Sequence, residues 1–322
     1  MKLKIAYYGT PDFSAAFLKK ILDDVSLPIK VVAVITQPDK PAGRKQILTP
    51  SPVKMLAQKA NLPVLKTDEP GPDIDLALLY AYGEMIPDEV LSRPHLGFWN
   101  IHPSRLPDYR GAAPMAYPLF LGDSQTGVTL MQMDKDLDHG RIIAQKTLPI
   151  LANETRPELE KKLTAHGYVL FKEKITAVAG WPAGRSIQTK PQNHTLATFT
   201  GRLTKQDGFI SWPALQKSIA NKPLEKDELP PILNNFYQNN KIAIAARAQS
   251  SLLAYQINSA RTVYDLFRGL SPWPGLWTTV LMNGTKKRLK IIGMTAGTIK
   301  TVQLDGKKPV DFVTFQQAYH LF

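Results

Sequence analysis

Between Trp99 and Gln145 the chain gathers amides, imidazoles and carboxylates beside segments that read as β-strands, Asn100, His102 and the aspartates at 134, 136 and 138 among them. Leu76–Leu79 is an apolar run flanked by turn-forming residues, the pattern of a strand buried on both faces. Asn100, Ile101 and His102 follow. In an extended segment residues two apart share a face, so Asn100 and His102 project side by side and Ile101 points the other way. Pro103 and Pro107 deny the next stretch a regular helix or a central strand, which leaves a shaped loop. After Gly127 the run VTLMQM is again strand-like, and it delivers Asp134, Asp136 and Asp138 before a turn at Gly140. An amide, an imidazole and a carboxylate, each near a strand end, can meet at one open sheet edge. Taken singly each has a plainer role: a structural histidine, a turn-capping asparagine, a solvated acidic loop. The combination points to a polar site. Spacing alone does not separate Asp138 from Asp136.

The elements needed to position these groups fit the remaining pattern. Residues 4–10 read as a strand entering a glycine turn, 11–24 as a helix with apolar Phe13, Phe17, Leu18, Ile21 and Leu22, and 30–36 as a buried strand. That order is a right-handed parallel crossover. Residues 62–67 and 75–82 continue the strands, and 154–181 reads as one long helix with an apolar stripe of Leu159, Leu163, Val169, Leu170 and Ile175. A short helix is expected after Pro114, with an N-terminus suited to anions. Residues 37–54 form a proline- and glycine-punctuated loop carrying Lys40, Arg44 and Lys45, and loops of that length are usually functional or disordered. The stretch from Ser186 to Thr200 has no periodicity and reads as a linker. Beyond residue 276 short strands alternate with turns, which suggests a small β-barrel of oligonucleotide-binding type.

Composition narrows the classes. The 322 residues are 43% hydrophobic, enough for about two domains. With no cysteine, disulfides, thiolate metal sites and cysteine nucleophiles are excluded. The N-terminal apolar segment is too short for a signal peptide and no run approaches a membrane span, so a cytoplasmic protein without membrane contact is expected. Of the formal net charge of +13, residues 201–322 carry +9. A basic C-terminal part favours a polyanionic partner such as RNA. No GxGxxG follows the first strand, so no nicotinamide cofactor is expected.

The motifs NIHPSRLP (100–107), RGAAP (110–114), GDSQTGVTLMQMD (122–134) and LDHG (137–140) resemble those of the folate-dependent formyltransferases that act on methionyl-tRNA. The resemblance extends over most of the chain, through GTPDF (9–13), PSPVK (50–54), AYGEMIP (81–87), LTKQDGFISW (203–212), RGLSPWPGLWT (268–278) and the closing segment 306–319. It implies an α/β fold: a Rossmann-like formyltransferase domain with a mostly parallel sheet at 1–186, a linker at 187–202, and a small OB-like β-barrel domain at 203–322. It implies Asn100, His102 and Asp138 as catalytic residues, the last because the family's carboxylate stands in Leu-Asp-x-Gly. Ser104, Arg105, Leu106 and Pro107, with Tyr82, Gly83 and Ile86, would hold 10-formyltetrahydrofolate, a co-substrate, and no metal is needed. Lys40, Arg44 and Lys45, with Lys286, Lys287, Arg288 and Lys290, would touch initiator methionyl-tRNA. The protein is expected to act as a monomer.

Three departures stand out. Arg105 replaces the usual leucine. GRKQIL (43–48) keeps Arg44 but has one basic residue fewer than the family's loop. Between Trp212 and Arg268, where the family has one helix, an insertion is expected at about 215–262. Two further activities share the site: sugar-nucleotide N-formylation, disfavoured by the basic loop and C-terminal charge, and formyltetrahydrofolate hydrolysis, expected to need a regulatory domain before a first strand that here begins at residue 4. A non-catalytic RNA-binding module is disfavoured by the complete set of site residues.

Overall fold

A computed structural model describes residues 2–319 except 44, 68, 72, 182–184, 247–258 and 283. Arg44 and the end of the expected insertion lie outside the described residues. The chain divides into two compact units, 1–110 with 127–148 and 160–194, and 111–126 with 149–159 and 195–322.

In the first unit β1 (Leu3–Gly9), α1 (Asp12–Asp23) and β2 (Ile29–Ile35) form the expected parallel crossover, with β1 pairing parallel to β2. The stretch expected as an irregular loop instead contains a short antiparallel hairpin, β3 (Lys40–Ala42) and β4 (Ile47–Thr49), in which Lys40 pairs with Thr49. Gly43, at φ +69, supplies a left-handed residue between its strands. Next come α2 (Pro52–Lys59), capped by Ser51, β5 (Val64–Leu65), β6 (Leu76–Tyr80), α3 (Asp88–Leu91) and β7 (Phe98–His102). Every residue of β6 is buried, as its apolar character demands, and every residue of β7 is buried too, the polar Asn100 and His102 included. β8 (Arg110–Gly111) and α4 (Tyr117–Phe120) precede β9 (Gln125–Gln132), β10 (Ile142–Pro149) and α5 (Arg156–Val178).

The seven-stranded sheet has the order β10-β9-β7-β6-β1-β2-β5. β1, β2, β5, β6 and β7 run parallel, and β9 pairs antiparallel to β7, placing Thr129 opposite His102 and Met131 opposite Asn100. Ile101 faces α5: a Cβ on Gly167 would stand 2.9 Å from Ile101 Cγ2 and 3.3 Å from Val128 Cγ2, so only glycine lets the helix lie this close. Leu159, Leu163, Leu170 and Ile175 are buried as expected, but Val169 is 52% exposed and belongs to the solvent face of α5. The opposite face of the sheet carries an apolar cluster of Tyr8, Ile35, Leu79, Tyr82, Ile86, Val90, Leu91 and Phe98.

In the second unit β11 (Phe199–Thr200) pairs with β8, and α6 (Trp212–Ile219), α7 (Pro231–Asn239), α8 (Lys241–Ala246) and α9 (Ser259–Leu270) follow. The described part of the expected insertion is thus largely helical, and α7 buries Ile232, Leu233 and Phe236. β12 (Leu276–Met282), β13 (Thr285–Thr295), β14 (Thr298–Leu304) and β15 (Val310–Asp311) form an antiparallel sheet in chain order, with β12 and β15 at its edges, closed off by α10 (Phe312–Tyr319). The four-residue α4 is entirely buried and too short to present an N-terminal anion site, so that expectation is corrected.

Candidate active site

Strand alternation puts Phe98, Asn100 and His102 on one face of β7, the face of the Tyr8–Tyr82–Ile86 cluster. Asn100, His102 and Asp138 are 6%, 4% and 9% exposed. One oxygen of Asp138 gathers the other two: Oδ1 accepts from Asn100 Nδ2 at 3.4 Å and lies 3.4 Å from His102 Nδ1. Asp138 is the carboxylate that the sequence spacing left tied with Asp136. Asp136 is exposed and its amide caps onto Asp134, whereas Asp138 adopts φ +49, and this left-handed turn residue is buried beside the strand. Gly140 permits the turn, because a Cβ there would stand 1.8 Å from the carbonyl oxygen of Gln132.

The second ring nitrogen of His102, Nε2, donates to the Tyr109 carbonyl at 3.0 Å, since a carbonyl can only accept. Both nitrogens of the ring therefore face acceptors, the arrangement that suits an imidazolium. Burial by itself pulls the His102 pKa down, and Arg110 pulls the same way. The Asp138 charge and hydrogen bond and the Tyr109 carbonyl outweigh them and hold it above the usual histidine value.

The loop after His102 is braced from β9 and β10. Thr129 Oγ1 donates to the Ser104 carbonyl at 2.7 Å and accepts from the Leu106 amide at 3.2 Å. Gln145 Nε2 donates to both the Leu106 carbonyl at 2.9 Å and Thr129 Oγ1 at 2.8 Å. The Ser104 hydroxyl donates to the Asp108 carbonyl, and Arg105, 43% exposed at its side chain, reaches Asp108 at 3.5 Å. Tyr82 and Ile86 are buried in the apolar cluster, with Tyr82 edge-on to Tyr8 at 5.5 Å, while Gly83 is exposed at φ +93 between them. Among the described residues no three His, Asp or Glu side chains gather as a metal site.

Sequence reasoning missed Tyr109, Arg110, Thr129, Gln145 and Gln192 as site residues. Thr129 could have been found by pairing the two strands around the site, since it stands directly opposite His102. Gln192 carried no local signal at all. Its stretch, expected as a linker, is tied down by the Ile142–Lys190 backbone pair at 2.8 Å in both directions.

The nucleic-acid candidates fall in two places. Lys40 is exposed and donates to Gln37 at 3.0 Å, and Lys45 is exposed between the strands of the β3–β4 hairpin. Lys286, Lys287, Arg288 and Lys290 are exposed on β13. Alternation sends Lys286, Arg288 and Lys290 to one face, opposite Leu281, Thr279 and Trp277. Arg288 covers the Trp277 ring at 4.6 Å, and Arg288 and Lys290 approach Asp305 at 3.7 and 3.8 Å, which offsets part of their charge.

Comparison with known proteins places this geometry. Residues 1–175 match the formyl transferase family model. The chain is 33% identical over 287 residues to a methionyl-tRNA formyltransferase of Staphylococcus aureus strain Newman, covering 86% of this chain and 76% of that one. Among solved structures it is similar to an N-formyltransferase of Helicobacter canadensis in complex with folinic acid and dTDP-3-aminofucose, at a TM-score of 0.56 and 18% identity over 96% of this chain and 98% of that one. A 4-N formyltransferase of Francisella tularensis aligns at a TM-score of 0.55 and 15% identity, over 92% and 99%. At those identities the two structures speak for the fold alone.

Proposed function

The chain belongs to the formyl transferase family, and we propose that it moves the formyl group of 10-formyltetrahydrofolate onto the α-amine of methionyl-initiator tRNA for translation initiation. The observation that carries the reading is the convergence of Asn100 and His102 on one oxygen of Asp138, both at 3.4 Å, buried at the C-terminal end of β7. That is the set of groups an amine attack on a formyl carbon needs. The Asn100 amide donates to the oxyanion that develops on the formyl oxygen, an effect worth roughly 3 kcal/mol for one such donor. Asp138 accepts the proton that the attacking amine sheds. His102, kept charged by Asp138, adds positive potential beside the oxyanion. It has no third N–H, so protonation of the departing folate nitrogen by His102 requires Nε2–H to leave the Tyr109 carbonyl.

Folate is read onto the 104–107 loop and the Tyr82–Ile86 stretch because both adjoin the Asn100 face. The rigid bracing of the loop by Thr129 and Gln145 supports a role in holding a flat ring. The C-terminal sheet is read as OB-like and, with the basic stretch 37–54 that carries Lys40, Arg44 and Lys45, as the tRNA-binding part, with residues 1–186 catalytic. The chain is read as a cytoplasmic monomer. No helix among the described residues is long and apolar enough to cross a membrane.

The test is a transfer assay with a labelled formyl donor and three acceptors: charged initiator tRNA, an amino-sugar nucleotide and water. Transfer to the tRNA at a kcat/KM at least about 100-fold above the sugar nucleotide is expected, since the basic surface raises capture of a polyanion. Preference for the sugar nucleotide, or free formate as the main product, would replace this reading.

A further inference from the structure

Gln192 sits far along the chain from the acidic turn, yet it is 6% exposed, its amide nitrogen is spent on that turn and its amide oxygen on Arg110. Nε2 donates to the Asp138 carbonyl at 2.9 Å and to the Gly140 carbonyl at 2.7 Å. Oε1 accepts from Arg110 Nη2 at 2.7 Å, and the same Arg110 nitrogen lies 2.8 Å from His194 Nδ1. The flanking chain is pinned independently: Lys190 exchanges backbone hydrogen bonds with Ile142, and Arg141 donates to Thr189 Oγ1 at 2.7 Å.

One amide therefore grips two carbonyls on either side of His139. Fixing those carbonyls fixes the peptide planes that follow Asp138 and Gly140. With φ of Asp138 already at +49, the direction of its Cα–Cβ bond is then set, and the carboxylate has only its own rotamers left to choose. A left-handed aspartate costs energy unless its surroundings hold it, and the two amide hydrogens of Gln192 contribute to that hold on either side of His139. The hold on Asp138 matters because its approaches to Asn100 and His102 are long, at 3.4 Å each, and a further drift would part them.

We infer that Gln192 is a positioning residue for catalysis: its amide holds the 138–140 turn so that the Asp138 carboxylate meets Asn100 and His102, while Arg110 holds the amide. The inference rests on the reading of Asp138 as part of the catalytic set. A displacement of about 1 Å in such a group is enough to cost one to two orders of magnitude in rate.

The test uses Gln192→Met and Gln192→Glu in the full chain. Methionine keeps the length and removes all three hydrogen bonds. Glutamate keeps the acceptor for Arg110 but cannot donate to the two carbonyls. Both should lower kcat about 10- to 100-fold, with KM for the formyl donor within about threefold of wild type. A role limited to partnering Arg110 predicts a near-normal Gln192→Glu protein, so that outcome would overturn the inference. The second readout is the titration of His102 by NMR in the substrate-free, histidine-labelled protein. The groups that set it are Asp138 and the Tyr109 carbonyl on one side and Arg110 on the other. In Gln192→Met the His102 titration should fall below its wild-type value as Asp138 drifts away, and an unchanged titration would overturn the inference. If Gln192→Met does not fold, kcat of Gln192→Glu decides alone. Because the titration needs no acceptor, it stays decisive even if wild-type protein formylates something other than tRNA. Thr189→Val, which removes the side-chain tie to Arg141 and leaves the Arg141 bond to the Thr189 carbonyl, is the control and should retain wild-type kcat and His102 titration.

Discussion

Each of the two units buries a charged cluster built from an aspartate and a cationic side chain, and the two clusters are finished very differently. In the second unit Asp265 and Arg268, both on α9 and each 1% exposed at the side chain, form a saturated pair. Arg268 Nε and Nη2 donate to Asp265 Oδ1 at 3.1 and 2.5 Å, Arg261 takes Oδ2 at 3.0 Å, and Arg268 Nη1 donates to the Glu154 carbonyl at 2.8 Å. In the first unit Asp138 Oδ1 stands 3.4 Å from both Asn100 and His102. A structural ion pair gains by short, complete hydrogen bonding, because every unmet group in a dry interior costs free energy. A reacting site must keep bonding capacity for a transition state that the resting protein does not contain. The approaches of Asn100 and His102 to Asp138 are longer than those of Arg268 and Arg261 to Asp265, and the longer set is the one we read as the reacting site.

The largest way to break the comparison is at Arg268. Arg268→Ala should cost about 3–5 kcal/mol in denaturant unfolding, because Asp265 is left buried without its main partner. The folded fraction should keep its specific activity. Replacing both members by apolar residues, Asp265→Leu with Arg268→Met, should recover most of that stability, and a double variant as unstable as the single one would mean the pair is more than a mutual neutraliser.

The reverse pattern is expected in the first unit. Asn100→Ala, His102→Ala and Asp138→Ala should each lower kcat by at least about 100-fold, while costing less in unfolding free energy than Arg268→Ala, about 1–3 kcal/mol for the buried groups left unmet. Asp136→Ala, at an exposed position, should be much milder. Near-normal turnover in a folded Asp138→Ala protein would remove Asp138 from the catalytic set.

A smaller effect sharpens the electrostatic half of the contrast. His102 binds its proton more tightly folded than unfolded, so its contribution to stability is complete below the unfolded value of about 6.5 and is lost as pH rises through the raised folded value. Wild-type protein should thus lose stability across that window relative to His102→Gln. Parallel stability curves from pH 6 upward would contradict the charged imidazole.

The smallest effects belong to the open surface. Neutralising Lys286, Lys287, Arg288 and Lys290 should flatten the salt dependence of tRNA binding by about one log-log unit for each phosphate that is no longer neutralised. The change should be smaller than four units, since Arg288 and Lys290 share Asp305. Arg44→Ala should raise the tRNA requirement and leave folate binding unchanged. Identical salt slopes in wild type and the neutralised variant would take the β13 face out of the RNA footprint.

Much of this was legible in the amino-acid sequence, and the illegible parts share a cause. The crossover at the N-terminus, the buried strand β6 and the long α5 follow from local periodicity. The hairpin at 40–49 was not legible, because its strands are three residues each and Pro41 stands in one of them. The placement of Val169 outside the core followed from the orientation of α5 on the sheet, which a 23-residue pattern of mixed side chains does not encode by itself.

Arg268 is the most instructive case. It opens one of the motifs that carry the family resemblance, and the sequence offers no means to tell a binding arginine from a structural one. The tertiary structure answers by closing α9 over the carbonyls of Leu151 and Glu154, 117 and 114 positions earlier in the chain.

The amino-acid sequence by itself determined that Asn100 and His102 share a face, because a strand repeats every two residues whatever surrounds it. It also determined the chemical classes available: no thiol, a surplus of cations in the C-terminal third, and an acidic turn following a strand. Spacing did not choose among the three aspartates; the LDHG motif pointed to Asp138 only through the family resemblance, and the tertiary structure supplies the physical difference between them. A left-handed turn at Asp138, a close backbone approach at Gly140 and the Gln192 amide reaching over 54 positions of chain bury one carboxylate and leave Asp136 in solvent. Local periodicity cannot report such a choice, because its physical basis is hydrogen bonding between segments that meet only when the chain has folded.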